Sequence, residues 1–263
     1  MWSLPVRAPP HPPSLTLADV AVSTQPTHPQ QPALHTHGLV AVRGVGLETV
    51  DDVVSLVRCF GDTILPTGST QSLAQLYVSK SRPDGAAAAP QGSDYWHSDN
   101  AYNPEPAAAT ALYCLEMPAS GGTATWLADS RRAYEALGSD TVAAVSSLLA
   151  EHVSGSSTSP CSSLHPLIRA HPHTGAPSLY INPLYTKRLY TSTGEPLPTD
   201  ESDRLIRYLC EHMLGSTCRE PAASSDGDWA NGASSGNLVG GFAGRFDWHG
   251  PGDLLVWDNA RCV

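Results

Sequence analysis

The chain has 263 residues, 41% of them hydrophobic and 15% charged, with a net charge of −10. That length fills one sizeable domain or two small ones. No Lys/Arg cluster offers a phosphate-binding stripe, which argues against a nucleic-acid partner, and no apolar run approaches the length of a bilayer span. Cys59, Cys114, Cys161, Cys210, Cys218 and Cys262 are scattered without a CxxC pair. They read as free or buried thiols in a reducing compartment such as the cytoplasm, not as a zinc or disulfide frame. The N-terminus lacks the apolar stretch of a secretory signal. Its composition leaves an organelle transit peptide open.

Residues 1–33 are proline-rich and aperiodic and predict an extended, partly disordered lead-in. Gly38–Gly44 predicts a buried strand. Thr49 then caps a helix carrying Val50, Val53, Val54, Val57 and Phe60 on one face, with Gly61 as its stop. Gln75–Ser79 predicts another strand, and residues 81–93 a Pro/Gly/Ala-rich loop. After the Pro104-Glu105-Pro106 turn, Thr110–Leu115 predicts a strand. Gly121-Gly122 turns the chain into a strand from Thr123 to Ala128. Asp129 caps a short helix with Tyr134 and Leu137. Ser139 caps the next, with Val142, Val145, Leu148 and Leu149 inward.

A Ser-rich loop is expected over 154–163, then strands at His165–Arg169 and Ser178–Asn182 around the turn His173-Thr174-Gly175. Thr199 caps a longer helix with Leu205, Ile206, Leu209 and Met213 on one side. Residues 215–240 predict a low-complexity surface insertion. Arg245–Trp248 and Leu254–Trp257 predict the last two strands. Many short strands with few helices predict a mainly β domain over 34–263, a barrel or jelly roll with helices packed outside.

The chemistry centres on Tyr95-Trp96-His97-Ser98-Asp99-Asn100-Ala101-Tyr102. In an extended strand, residues two apart share a face. His97 and Asp99 would then aim an imidazole and a carboxylate at one point, two-thirds of the 2-His-1-carboxylate face that holds non-haem Fe(II) with open positions. Two common residues one apart recur by chance, so the pair alone is weak evidence. A surface strand explains it as readily.

The surrounding order of motifs carries more. Trp96-His97-Ser98-Asp99 is followed by Leu112-Tyr113, Gly121-Gly122, Ala128-Asp129 and Tyr134–Leu137. Then come His165-Pro166 through His171-Pro172 and Gly175, Leu179–Pro183 with Thr186-Lys187-Arg188, the helix Glu201–Met213, and Gly252–Asn259. Upstream lie His37–Val40 and Arg58–Asp62. Over residues 35–263 this series resembles the TauD/TfdA-like Fe(II)/2-oxoglutarate dioxygenases.

The resemblance implies a double-stranded β-helix (jelly roll, cupin-like) that binds Fe(II) and takes 2-oxoglutarate as cosubstrate. It implies hydroxylation of a small organic substrate with release of succinate and CO2. His97 and Asp99 match the first two iron ligands. A Thr after the Gly-Gly turn contacts 2-oxoglutarate in relatives; counting back from Asp129 selects Thr125, while counting forward leaves Thr123 adjacent. Asn100 and Tyr102 are candidates to line the substrate pocket, although packing or turn capping accounts for them as well.

In the family a distal His ligand follows Trp-Asp-Asn within a few residues, and an Arg that pairs with 2-oxoglutarate follows later. The chain stops at Val263, before both. The expectation is therefore a C-terminally truncated dioxygenase, weak in iron binding as it stands, with no catalytic residue assigned. His249, in a Gly/Pro turn, is a poor substitute. His165, His171 and His173 are expected to be structural or exposed. Phe60–Pro66 lacks the His that sulfonate-using relatives often carry before that Pro, which weakens taurine as substrate. The competing reading is a non-catalytic jelly-roll binding protein or inactive relic. A zinc hydrolase lacks an HExxH-like pattern. The sequence leaves a homo-oligomer open.

Overall fold

The computed structural model describes residues 30–47, 52, 55, 56, 58, 95–114, 117, 124–154, 161–215 and 241–263. Several expectations lie outside these residues: nearly all of the lead-in, the strand at 75–79, the loop at 81–93, the Gly121-Gly122 turn with Thr123, and all but the first residue of the 215–240 insertion. Of the helix after Thr49, Asp52, Ser55, Leu56 and Arg58 are described; the first three are α-helical and Arg58 lies in a 3-10 turn.

The centre of the described structure is strand β10 (Leu254–Asp258), flanked antiparallel by β1 (Leu39–Val42) and β2 (Ala109–Tyr113). Leu254, Leu255 and Val256 are all fully buried, because both faces of this strand are covered. Leu254 and Val256 pack with Leu34, Val40, Val42, Val45 and Leu56. Leu255 packs on the opposite side with Leu127, Trp248 and Cys262, and Leu39, Ala41, Leu112 and Trp257 join that cluster. A strand buried on both faces needs an unbroken apolar run rather than alternation, which Leu-Leu-Val-Trp supplies.

Facing that second side lies a two-stranded sheet of β3 (Ala124–Ala128) and β9 (Ala243–Asp247), with Thr125 opposite Phe246 and Leu127 opposite Gly244. Two inner faces thus enclose one apolar layer, as in sheet-on-sheet packing. The chain end closes this unit: Ala128 and Val263 exchange backbone hydrogen bonds at 2.8 and 3.1 Å.

A third sheet runs in the order β5 (Ser162–Pro166), β4 (Leu149–Val153), β8 (Thr186–Tyr190), with an irregularity between Glu151 and His152. β6 (Ile168–Ala170) and β7 (Pro177–Leu179) form a hairpin. Its turn contains Gly175 at φ +70°, a conformation open to glycine. Among the described residues the four sheets do not join into one closed ladder.

Helix α1 (Gln30–His37) precedes β1. Helices α2 (Ser130–Glu135), α3 (Ser139–Val145) and α4 (Thr199–Leu214) belong to the core that holds Ala133, Val145, Ala150, Leu179, Leu189, Leu209 and Met213. On α4, Leu209 and Met213 are buried, and Leu205 and Ile206 are half-buried against the same core.

The structure departs from the sequence reading in local ways. The last four residues of the expected lead-in, 30–33, are helical and begin α1. Asp129 does cap α2, accepting the amide of Arg132 at 3.0 Å. Ser139 and Thr199 are instead the first helical residues, behind Gly138 and Pro198, which make no side-chain cap bond. Leu148 and Leu149 lie past α3, and Leu149 opens β4. The His165–Arg169 segment divides at the fully buried Leu167 into β5 and β6, and β5 takes two residues from the expected Ser-rich loop. Strands β4 and β8 were not foreseen as strands.

Candidate functional site

His97 and Asp99 do not sit in a strand. Residues 96–98 carry no regular structure and Asp99 opens a turn through Tyr102. This corrects the extended-strand expectation, and the cause is local. The amide of Ala101 bonds the Ser98 carbonyl at 3.3 Å, and that of Asn103 bonds the Asn100 carbonyl at 2.9 Å. Asn100 takes φ +56°, a left-handed conformation that Asn tolerates better than most residues. β5 and the residue before it then staple the turn: Ser163 Oγ donates to the Tyr102 carbonyl at 2.9 Å, Cys161 Sγ lies 3.3 Å from the same oxygen, and His165 Nε2 donates to the Asn103 carbonyl at 2.9 Å.

The turn brings the pair together. His97 Nδ1 lies 2.7 Å from the Tyr95 carbonyl, an acceptor only, so Nδ1 carries the proton. In the neutral ring Nε2 is then a bare lone pair, and it faces Asp99 Oδ1 at 3.2 Å. Two acceptors at that distance need a cation between them, a proton or a metal ion. Burial pulls the His97 pKa down, but the hydrogen bond and charge of Asp99, with the Tyr95 carbonyl, outweigh it and the net shift is upward. Burial raises the Asp99 pKa, while His97 and the Thr110 hydroxyl outweigh it and the net shift is downward. Thr110 Oγ1 donates to Asp99 Oδ2 at 2.6 Å.

Aromatic rings flank the pair. Tyr185 stands edge-on to His97 with centroids 5.8 Å apart and edge-on to Tyr102 at 5.0 Å. Burial, then the neighbouring Tyr102 and Asp99, push the Tyr185 hydroxyl up to about 12. Tyr102 donates to Asn100 Oδ1 at 3.3 Å, so these two candidate residues also contact one another.

Thr125 lies on β3, on the face it shares with Leu127, and its Oγ1 accepts the Trp248 indole N–H at 3.0 Å. Thr110 pairs with Trp257 and shares the face of Leu112, which packs with Leu127 and Leu255. The two threonines therefore face the same inter-sheet layer. Sequence reasoning missed Thr110 and Tyr185. Thr110 was placed in its strand, but nothing local marked its hydroxyl as a partner of Asp99.

A second convergence lies elsewhere. His35 Nδ1 and His171 Nε2 both reach Asp258 Oδ2, at 3.1 and 2.7 Å. Among the described residues this is the group whose three donor atoms converge as metal ligands would. The tautomer argues against that use. His171 Nδ1 accepts the amides of His173 and Thr174 at 3.2 and 3.1 Å, so its proton sits on Nε2 and is donated to Asp258. The cluster is a hydrogen-bonded anchor for the end of β10, with His35 stacked on His173 at 4.3 Å. His249 is exposed in its turn and offers only its backbone amide, to Asp253. Among the described residues no further His, Cys, Asp or Glu joins His97 and Asp99 to form a three-donor group.

Face-to-face sheets with a His–carboxylate pair held on a stapled turn fit a jelly-roll protein. The chain belongs to the taurine catabolism dioxygenase TauD, TfdA family, whose model matches residues 9–226. It is similar to an (S)-phenoxypropionate/alpha-ketoglutarate-dioxygenase of Sphingobium herbicidovorans, 29% identical over 216 residues that cover 71% of this chain and 64% of that one. It is also similar to the alpha-ketoglutarate-dependent 2,4-dichlorophenoxyacetate dioxygenase of Cupriavidus pinatubonensis, 30% identical over 182 residues covering 64% of this chain and 52% of that one. Among solved structures, a taurine dioxygenase from Burkholderia xenovorans superposes with a TM-score of 0.63 at 26% identity, over 89% of this chain and 71% of that one. These likenesses show the jelly-roll fold that the motif order implied. The chain spans 64% and 52% of those two curated relatives, and 32% and 34% of two others.

Proposed function

We propose that this chain is the metal-binding part of an Fe(II)/2-oxoglutarate-dependent dioxygenase that hydroxylates a small organic substrate, releasing succinate and CO2. The observation that carries this reading is His97 Nε2 facing Asp99 Oδ1 at 3.2 Å, with the ring's Nδ1 held by the Tyr95 carbonyl. Two ligands ~2.1 Å from one metal ion and at right angles to each other sit about 3.0 Å apart, so the spacing fits adjacent positions on an ion. One borderline nitrogen and one hard oxygen, with no cysteine joining them in a three-donor group among the described residues, suit Fe(II). Bound iron would supply the oxidising chemistry, drawing on oxygen and 2-oxoglutarate.

The chain's own residues do the positioning. Tyr95 and Thr110 orient the two ligands. Thr125 receives the Trp248 N–H, which leaves its own proton free to point at a carboxylate of 2-oxoglutarate. Tyr185, Tyr102 and Asn100 form the substrate side, where aromatic edges favour an apolar or aryl group. The printed activities of the phenoxypropionate and dichlorophenoxyacetate relatives support an aryloxyalkanoate as the first substrate class to try.

No helix among the described residues is long and apolar enough to cross a membrane. The cytoplasm is the proposed compartment, a reading supported by cysteines scattered along the sequence without a CxxC pair.

The test is succinate formation by this chain with Fe(II), 2-oxoglutarate and a panel of aryloxyalkanoates and sulfonates. His97→Ala and Asp99→Ala are each expected to abolish turnover. Unchanged turnover in either variant would defeat the assignment.

A further inference from the structure

The carboxylate of Asp99 is held at the end of a hydrogen-bond chain that starts on β10. Trp257 Nε1, a donor only, bonds Asn259 Oδ1 at 3.1 Å. That fixes which way the buried Asn259 amide faces. Its Nδ2 donates to Thr110 Oγ1 at 2.8 Å. The Thr110 hydroxyl, already accepting, has one proton left and gives it to Asp99 Oδ2 at 2.6 Å. Every direction in the series follows from the indole N–H at its start.

The arrangement is also built into the sheet. Trp257 and Thr110 are register partners across β10 and β2, and the Asn259 amide nitrogen bonds the Ala108 carbonyl at 3.0 Å. Asn259 is 2% exposed, so water does not compete for its side chain. One oxygen of Asp99 thereby accepts a short, charge-assisted bond, and the other is left facing His97 Nε2.

We propose that Thr110 and Asn259 are positioning residues that lock Asp99 into one-oxygen coordination, with Oδ1 as the metal-facing atom. The inference rests on the metal-site reading given above. Partners one step behind a metal ligand typically set affinity by 10- to 100-fold. Without the Thr110 proton, the carboxylate is free to rotate about its last bond, and its two oxygens become equivalent.

The experiment is Mn(II) titration of the full 263-residue chain, followed by the electron paramagnetic resonance signal of the unbound ion, with the Co(II) visible spectrum as the second readout. Thr110→Val keeps the shape and removes the hydroxyl. It is expected to weaken Mn(II) binding at least about 10-fold and to alter the Co(II) bands. Thr110→Ser restores the donor and is expected to bind within about 2-fold of the parent chain, a rescue that loss of packing would not give. Asn259→Leu is expected to fall between them. Equal Mn(II) affinity in the parent, Thr110→Val and Asn259→Leu chains would overturn the positioning role alone. If His97→Ala and Asp99→Ala also bind as the parent does, or the parent binds no Mn(II), the metal-site reading falls and takes this inference with it.

Discussion

His152 makes the fold acid-labile in a way that one substitution isolates. The ring lies on β4, fully buried, against His165 at 5.8 Å and Tyr180 at 5.1 Å, with Thr186 Oγ1 3.3 Å from its Nδ1. Burial first, then the charges of His165 and Arg169, pull its pKa down from 6.5 to about 3, against a smaller opposing pull from the Tyr180 carbonyl. The unfolded chain keeps the ordinary value, so between pH 6.5 and 3 the unfolded state binds the extra proton. The contribution is fully present above pH 6.5 and is lost as pH falls toward 3. At 1.36 kcal/mol per pH unit, the loss between pH 7.5 and 4.5 is about 2.7 kcal/mol, and the ceiling at lower pH is about 5 kcal/mol.

Urea unfolding at pH 7.5, 6.5, 5.5 and 4.5 measures this directly. With a urea slope of about 2–3 kcal/mol/M, the midpoint is expected to fall by roughly 1 M over that range from His152 alone. His152→Leu removes the titration and the weak Thr186 contact. It is expected to be less stable than the parent at pH 7.5 by about 1 kcal/mol, yet to lose distinctly less on acidification. Parallel stability-versus-pH curves for the two chains would refute the reasoning.

Other expectations follow from the same contacts. Asp258→Asn replaces an acceptor of two imidazole N–H bonds by an amide, and a loss of about 3 kcal/mol is expected from urea midpoints at pH 7.5; a loss below about 1 kcal/mol would contradict the anchor role. Leu255→Ala empties a fully buried position between the two sheets and is expected to cost about 2–5 kcal/mol in the same assay. Gly252→Ala puts a Cβ 2.9 Å from the Val45 carbonyl at φ +92°, and a loss of about 1–3 kcal/mol by thermal unfolding is expected. Trp248→Phe removes the N–H that Thr125 accepts; a weaker 2-oxoglutarate affinity with unchanged Mn(II) affinity is expected, and a reversed pattern would count against the Thr125 role.

The elements legible in the sequence are those whose signal is local. Leu254-Leu255-Val256-Trp257 announces a strand covered on both faces, and the spacing of Leu205, Leu209 and Met213 announces α4. β8 carries Lys187 and Arg188 in its middle, and β4 runs on from a helical pattern; their pairing with each other and with β5, not their composition, makes them strands. In the site, the residue types of His97 and Asp99 were readable, but their turn was not. It depends on Ser163 and His165, some sixty positions away. The partnership of Asp258 with His35 and His171 spans 223 and 87 positions, and no window of sequence displays it.

The register of β10 sets the order in which this protein can assemble. Arg43, just past β1, meets Asp253, at the mouth of β10, across 210 positions of chain. Among the described strands β1 and β2 pair with β10 alone, so during synthesis those pairings wait until Leu254 has left the ribosome. Closing loops of that length before any contact rewards them makes folding slow, and waiting strand edges invite pairing with other chains. The nascent polypeptide is thus at greatest risk of aggregation until Leu254–Asp258 emerges to cover those edges.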